Sequence, residues 1–253
     1  MQNRLMIWII LILFGVAAMW RLASQPNFQL FGSLVSEVET EEKLVALTFD
    51  DGPIPGKTEQ ILSILAMQQV PATFFLIGKE VEAHPELVGK ILSAGHQVGN
   101  HSYSHQRMIF KTPSFIASEI EKTDALLRLL GVTGDIYFRP PYGKKLAVLP
   151  WYLQQNQRTS VTWTLAPEDF PKVTRSVNDL VKFTVEQVTP GDIVLLHVMY
   201  DSREKTMQAV PDIIRQLKAK GYRFVTVSEL IEAGKQKTAA RLVSAYSGSV
   251  SIN

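Results

Sequence analysis

Leu44-Val45-Ala46-Leu47-Thr48-Phe49-Asp50-Asp51-Gly52-Pro53 is the stretch from which the fold of this chain is read. Its apolar residues from Leu44 to Phe49 predict a buried strand, two adjacent carboxylates follow, and Gly-Pro then breaks the chain. Neighbouring side chains on a strand point to opposite sides, so one carboxylate can bind a metal while the other faces a substrate. Downstream, Asn100-His101-Ser102-Tyr103-Ser104-His105 holds two imidazoles four positions apart, which one helical turn or a tight loop brings to one side. Two His and one Asp leave coordination positions open, which suits a catalytic metal better than a structural one.

Outward from this strand, short apolar runs alternate with amphipathic segments. Candidate strands are Leu44 to Phe49, Ala72 to Ile77, Gln97 to Asn100, Ile136 to Arg139, Ser160 to Leu165, Asp192 to Leu196 and Arg223 to Val227. Apolar faces at Ile61-Leu65, Val81-Leu92, Ile120-Leu130 and Val210-Leu217 mark helices between them, and Pro71, Gly95, Gly131, Gly191 and Gly221 punctuate the joints. About seven parallel strands, each followed by a helix, predict an α/β fold of the distorted (β/α) barrel kind. An open doubly wound sheet is the alternative, because strand order is not written in the sequence. Asp50, Asp51, His101, Arg139, Asp169 and His197 all fall at or just after strand C-termini, the end that carries the active site in parallel α/β folds.

The 253 residues suffice for one large domain with a full core, and a net charge of +2 gives no electrostatic case for nucleic acid. The chain contains no cysteine, so disulfides and thiolate ligands are excluded and any transition metal falls to His and carboxylate. Between Arg4 and Arg21 the sixteen residues Leu5 to Trp20 are uncharged and apolar on every face, which reads as a signal anchor (residues 1–21) or a cleaved signal peptide. The expectation is therefore a membrane contact through this segment, with the catalytic domain exported and secreted if the signal is cleaved. Residues 22–42, ending in an acidic run from Glu37, read as a solvated linker, residues 43–233 as the domain, and 234–253 as a flexible tail.

The motifs resemble those of the polysaccharide deacetylases, carbohydrate esterase family 4, with a NodB homology domain. The resemblance spans about Lys43 to Ala233. Its first motif is Thr48-Phe49-Asp50-Asp51-Gly52-Pro53, its second His101-Ser102-Tyr103-Ser104-His105, its third Arg139-Pro140-Pro141-Tyr142-Gly143 and its fifth Leu195-Leu196-His197. The fourth, Trp163-Thr164-Leu165-Ala166-Pro167-Glu168-Asp169-Phe170, is degenerate: Ala166 stands where an acidic residue is common and Phe170 where Trp is usual. Each motif is weak alone; the set in order is highly specific.

The resemblance implies a NodB-like barrel and removal of N-acetyl groups from amino sugars of a polysaccharide or oligosaccharide, peptidoglycan or chitin-like. Asp51, His101 and His105 are implied to hold a divalent metal, with zinc the default and cobalt, nickel or manganese admitted by the same donors. Asp50 is implied as general base, Arg139 as the residue that keeps it ionised and oriented, and the Tyr142 backbone N–H as an oxyanion donor. His197 is implied as general acid, with Asp169 as its carboxylate partner. Pro141, Phe170, Leu195 and Tyr200 are candidate substrate contacts, and Trp163 reads as core. The loop Val198 to Lys205 lies at the same end, where loops shape grooves.

Dull readings stand beside these. Asp50-Asp51 can be turn chemistry, the His pair a solvated face, and His197 a satisfied core histidine. His84 and His96 read as structural, Asp192 as a turn former, and Asp124 and Asp135 have no evident partner. Rival functions are O-acetyl ester deacetylation, a non-haem iron oxygenase, and a non-catalytic glycan-binding module.

Overall fold

A computed structural model describes residues 2–250, with side chains described for all of these except 2, 3, 5 and 240–250. The chain runs α1 (Gln2–Leu22), β1 (Leu34–Val35), β2 (Leu44–Gly52), α2 (Lys57–Gln68), β3 (Thr73–Leu76), α3 (Gly78–Ala83), α4 (Pro85–Ser93), β4 (Gln97–Asn100), α5 (Pro113–Leu129), α6 (Val148–Gln155), β5 (Ser160–Val161), α7 (Val177–Gln187), β6 (Asp192–His197), α8 (Glu204–Ala219), β7 (Arg223–Phe224) and α9 (Val227–Val250).

Every residue of β2 is buried because the strand has parallel partners on both sides: β6 along one, β3 and then β7 along the other. The two-residue period sorts its side chains. Val45, Leu47 and Phe49 join the larger core, with Ile61 and Leu65 of α2, Val88 of α4, Leu180 of α7 and Ile214 of α8. Leu44 and Ala46 face the other way, into a smaller core with Phe75, Tyr137, Val161 and Ile193.

The main sheet has the order β4-β3-β2-β6, with β7 also on β2. Single parallel bridges join Asn100 to Phe138, Phe138 to Ser160 and Leu165 to Val194, and β1 pairs with β5. The fold is α/β with parallel strands, consistent with the expected distorted barrel.

The expected strand at Ile136 to Arg139 is reduced to the bridge at Phe138, since Pro140 and Pro141 follow at once and offer no N–H to a ladder. Ser160 to Leu165 is a strand only at Ser160–Val161, because the Arg139 side chain takes the carbonyls of Val161 and Thr162 as acceptors. Arg223 to Val227 shortens to two residues: Thr226 and Glu229 exchange side-chain and backbone hydrogen bonds and start α9 there.

Residues 22–42 are not a free linker. Ser160 N–H donates to Ser33 O and Thr162 N–H to Val35 O, so β1 adds to the β5 edge, and Val38 N–H donates to Gly191 O. Gly191 is at φ 92°, where a Cβ would collide with the Val38 carbonyl oxygen. Nor does the chain lose regular structure at Gly234: α9 continues to Val250, with Gly234 packed on Val38 and Lys237 paired with Glu39 and Glu41. Met1 of the expected anchor and 251–253 of the expected tail lie outside the described residues. In α1 the apolar side chains from Met6 to Phe14 are exposed. Among the described residues no helix is long and apolar enough to cross a membrane.

Candidate active site

The inward face of β2 reads Leu44, Ala46, Thr48, Asp50, so the period that builds the small core also aims Asp50 at the C-terminal mouth. Register sets Asp50 level with His197 on β6. Arg139 is fully buried beneath it. Its Nη1 donates to Asp50 Oδ1 at 2.8 Å and Thr48 Oγ1 at 2.7 Å, Nη2 donates to Thr162 O at 2.8 Å, and the guanidinium lies 4.0 Å from the centre of the Phe75 ring. Two buried charges are thereby paired and hydrogen-bonded, the condition under which burial is tolerated.

Strand geometry alone would send Asp51 to the opposite face. A register shift follows Asp50, and Asp51 takes φ 74°, which turns its carboxylate into the same mouth. Its Oδ1 lies 3.1 Å from His105 Nε2 and 3.5 Å from His101 Nε2. The candidate ligand atoms of Asp51, His101 and His105 all lie within 4.8 Å of one another. Asp51 Oδ1 is buried with no hydrogen-bond partner among the described residues, the deficit that a cation between it and the imidazoles would remove. His101 Nδ1–H donates to Arg139 O at 2.8 Å, so Nε2 is the ring atom that faces Asp51. Burial pushes the Asp51 carboxyl up, but the three nearby imidazoles outweigh it and hold it at about 2. Burial and the His101 charge push His105 down to about 4, so it is neutral near pH 7, as a ligand must be.

The histidine segment is a loop, not a helical turn. Ser102 and His105 both have positive φ, as do Asp51 and Tyr142, so four of the non-glycine residues in that conformation belong to the site. Asn100 Oδ1 accepts Ser102 N–H at 2.8 Å, while its amide donates to Asp124, which is itself paired with Arg158; the aspartate without an evident partner in sequence thus anchors the loop. Glu119 of α5 accepts from Tyr103 N–H, Ser104 N–H and Ser104 Oγ–H.

On the other side, His197 Nε2 lies 3.8 Å from Asp51 Oδ2, and its Nδ1 is 2.6 Å from Glu168 Oε2. Glu168 also accepts from the His197 N–H and from Thr206 Oγ1 at 2.5 Å. Burial opposes a charged imidazole here, but Glu168, Asp50 and Asp51 outweigh it and raise His197 above its ordinary value. Candidate metal ligands, a separately held carboxylate and a histidine raised above its ordinary value thus face one cleft of about 440 Å³.

The sequence model described as Polysaccharide deacetylase matches residues 37–161. A peptidoglycan-N-acetylglucosamine deacetylase of Bacillus cereus is 36% identical over 202 residues, 79% of this chain and 93% of that protein. The peptidoglycan-N-acetylmuramic acid deacetylase PdaC of Bacillus subtilis is 33% identical over 80% of this chain and 42% of its own length. The crystal structure of a peptidoglycan N-acetylglucosamine deacetylase in complex with 4-naphthalen-1-yl-N-oxidanyl-benzamide superposes with a TM-score of 0.73 at 32% identity, covering 79% of this chain and 92% of that one. This chain belongs to the polysaccharide deacetylase family.

In this polysaccharide deacetylase, Asp50, Asp51, His101, His105, Arg139 and His197 converge on one point. The carboxylate bonded to His197 is Glu168, not Asp169 as the motif implied. The reason is local: Pro167–Asp169 forms a 3-10 turn, which aims consecutive side chains about a third of a turn apart. Asp169 lines the cleft without touching the imidazole, and burial raises its carboxyl. Leu195, Tyr142 and Tyr200 line the cleft too. Pro141 is buried and Phe170 packs against the tilted ring of Phe183 in α7, and neither is among the lining residues. Trp163, read as core, packs beside the smaller core and also reaches the cleft. Sequence reasoning missed Glu119 and Glu168; only Glu168 lay within a motif, adjacent to the residue that was chosen.

Proposed function

We propose that this chain is a metal-dependent polysaccharide N-deacetylase that hydrolyses the acetamide of an amino sugar in a peptidoglycan-type glycan to acetate and free amine. The observation that carries the reading is the unpartnered Asp51 Oδ1 facing His101 and His105, flanked by Asp50 on Arg139 and His197 on Glu168. A divalent cation held by Asp51, His101 and His105 would polarise the carbonyl and lower the pKa of water toward ~7. Zinc is the ion we favour for this nitrogen and oxygen donor set, over cobalt, nickel or manganese.

Asp50 takes the proton of the attacking water. Arg139 holds one of its oxygens and leaves Oδ2 directed at the cluster, 3.5 Å from His101 Nε2. As charge grows on the carbonyl oxygen, the Tyr142 N–H donates to it; that N–H makes no hydrogen bond among the described residues, and Tyr142 lines the cleft. An amide nitrogen leaves poorly as an anion, so His197, raised by Glu168, supplies the proton from the opposite side. The fit of this acid to a poor leaving group favours the amide over an ester.

The glycan places the working domain outside the cytoplasm, the compartment we propose for it. The anchor reading of Leu5 to Trp20 rests on the exposed apolar surface of α1; recovery of the full chain in an alkali-washed membrane fraction would support it, and quantitative release would end it. Function is tested with the full chain, stripped of metal and incubated with N-acetylglucosamine oligomers and added divalent metals. Metal-dependent acetate release that disappears in Asp50→Asn is the expected result. Oligomer binding without acetate release would support a binding module instead.

A further inference from the structure

Residues Ala23 to Pro26, between α1 and β1, belong to the cleft although no motif includes them. Ser24 and Pro26 line it together with His105 and His197. Three carbonyls of this short segment are taken by the domain: Lys145 N–H donates to Ala23 O at 3.0 Å, Lys145 Nζ to Gln25 O at 2.7 Å, and Thr162 Oγ1 to Pro26 O at 2.7 Å. Lys144 Nζ donates to Ser24 Oγ and lies over the Trp20 ring.

Lys145 is only 2% exposed and has no carboxylate partner among the described residues. Burial pulls its amine down to about 8, the mark of a charge kept from water. Burying this charge costs stability, and its hydrogen bonds to the Gln25 and Pro26 carbonyls hold the segment in place. That geometry is tied to the chemistry at both ends. Thr162, which binds Pro26 O, also gives its carbonyl to Arg139, the partner of Asp50, and Lys144-Lys145 directly follow the Tyr142 turn.

We propose that Ala23 to Pro26 is a wall of the glycan groove that contacts the sugar next to the one being deacetylated, with Lys145 as the positioning residue that fixes it there. The surface offered has the character sugars require: the Ser24 hydroxyl donates to Trp20 O at 2.6 Å and accepts from Lys144 Nζ, which leaves one lone pair for a sugar hydroxyl, and Pro26 and Trp163 offer apolar surface to C–H groups. The inference rests on the deacetylase reading for the identity of the ligand, not for the existence of the wall.

The chain contains no cysteine, so Ser24→Cys creates a unique thiol that reports on this wall. In full-length Ser24→Cys/Asp50→Asn, loaded with zinc so that bound glycan survives, alkylation by iodoacetamide should be blocked by N-acetylglucosamine oligomers. Half-protection should fall at the concentration that half-saturates the protein by calorimetry. Lys145→Met in the same chain should speed labelling without glycan and weaken the protection. A thiol that stays fully reactive at saturating oligomer overturns the wall, even where the Asp50-intact chain releases acetate normally. Protection in a chain whose Asp50-intact form releases no acetate would sink the deacetylase reading and leave the wall standing. Neither protection nor oligomer binding overturns both.

Discussion

Two adjacent aspartates with different partners are the centre of this site, and their difference comes from one backbone irregularity. Asp50 is tied to Arg139 and Asp51 is turned toward two imidazoles. Asp50→Asn should therefore lower turnover ~10²- to 10⁴-fold, as loss of a general base does, with metal content unchanged by elemental analysis. His101→Ala or His105→Ala should instead abolish metal retention, and a stoichiometric metal in either purified variant would refute the ligand set. The same logic separates Glu168 from Asp169. Glu168→Gln removes the carboxylate on His197 and should cut kcat at least ~10-fold, up to the ~10²–10⁴ that acid catalysis supplies, while Asp169→Asn should cost far less. Equal losses in the two variants would contradict the pairing.

At the scale of elements, the histidine loop is held by residues outside the cleft lining, Glu119 and Asp124 among them. Glu119 reaches from α5 to close the histidine loop with three hydrogen bonds. Glu119→Ala should weaken metal binding by roughly 10- to 100-fold, the usual cost of losing an orienting partner, as measured by competition with a chelator. A different histidine governs the sheet. His96 Nδ1 accepts the Ala72 N–H at 3.2 Å, and burial pushes the ring down to about 4. Its folded value lies below its unfolded one, so the unfolded chain binds more protons between about 6.5 and 4 and stability falls as pH drops through that window. His96→Gln keeps an acceptor and loses the titration. Denaturant unfolding at pH 7 and pH 4.5 should show the native chain losing more stability than the variant, by at most ~3 kcal/mol; equal losses would clear His96 of the effect.

The whole molecule extends further toward the N-terminus than its motifs do. Residues 22–42 supply β1, a seat for Gly191 and two residues of the cleft lining. A fragment beginning at Lys43 would expose the β5 edge and open one side of the groove. It should melt at a lower temperature than the full chain and show a raised KM on N-acetylglucosamine oligomers. Unchanged melting and kinetics would mean that this segment only spans the surface.

The residues proposed to do the chemistry, which the structure brings to one cleft, were legible in the chain because each motif is a local event: a buried strand that ends in carboxylates, a close pair of imidazoles, an Arg before two prolines. Periodicity alone predicts that Leu44, Ala46, Thr48 and Asp50 share a face, and alternation alone predicts parallel α/β architecture. What distance in sequence hides is partnership. Whether Glu168 or Asp169 meets His197 depends on the phase of one 3-10 turn against β6, and a carboxylate is chemically the same at either position. Asp124 and Glu119 carry no local signal, since their partners on the histidine loop lie 24 and 15 or 16 residues away. Lys145 and the segment it fixes are 120 residues apart, and nothing in the short run Ala23-Ser24-Gln25-Pro26 foretells that its carbonyls will be claimed from across the fold. Side-chain type and spacing encode which groups can react, whereas packing sets which of them touch, because contacts of high sequence separation exist only once the sheet has brought the strand ends together.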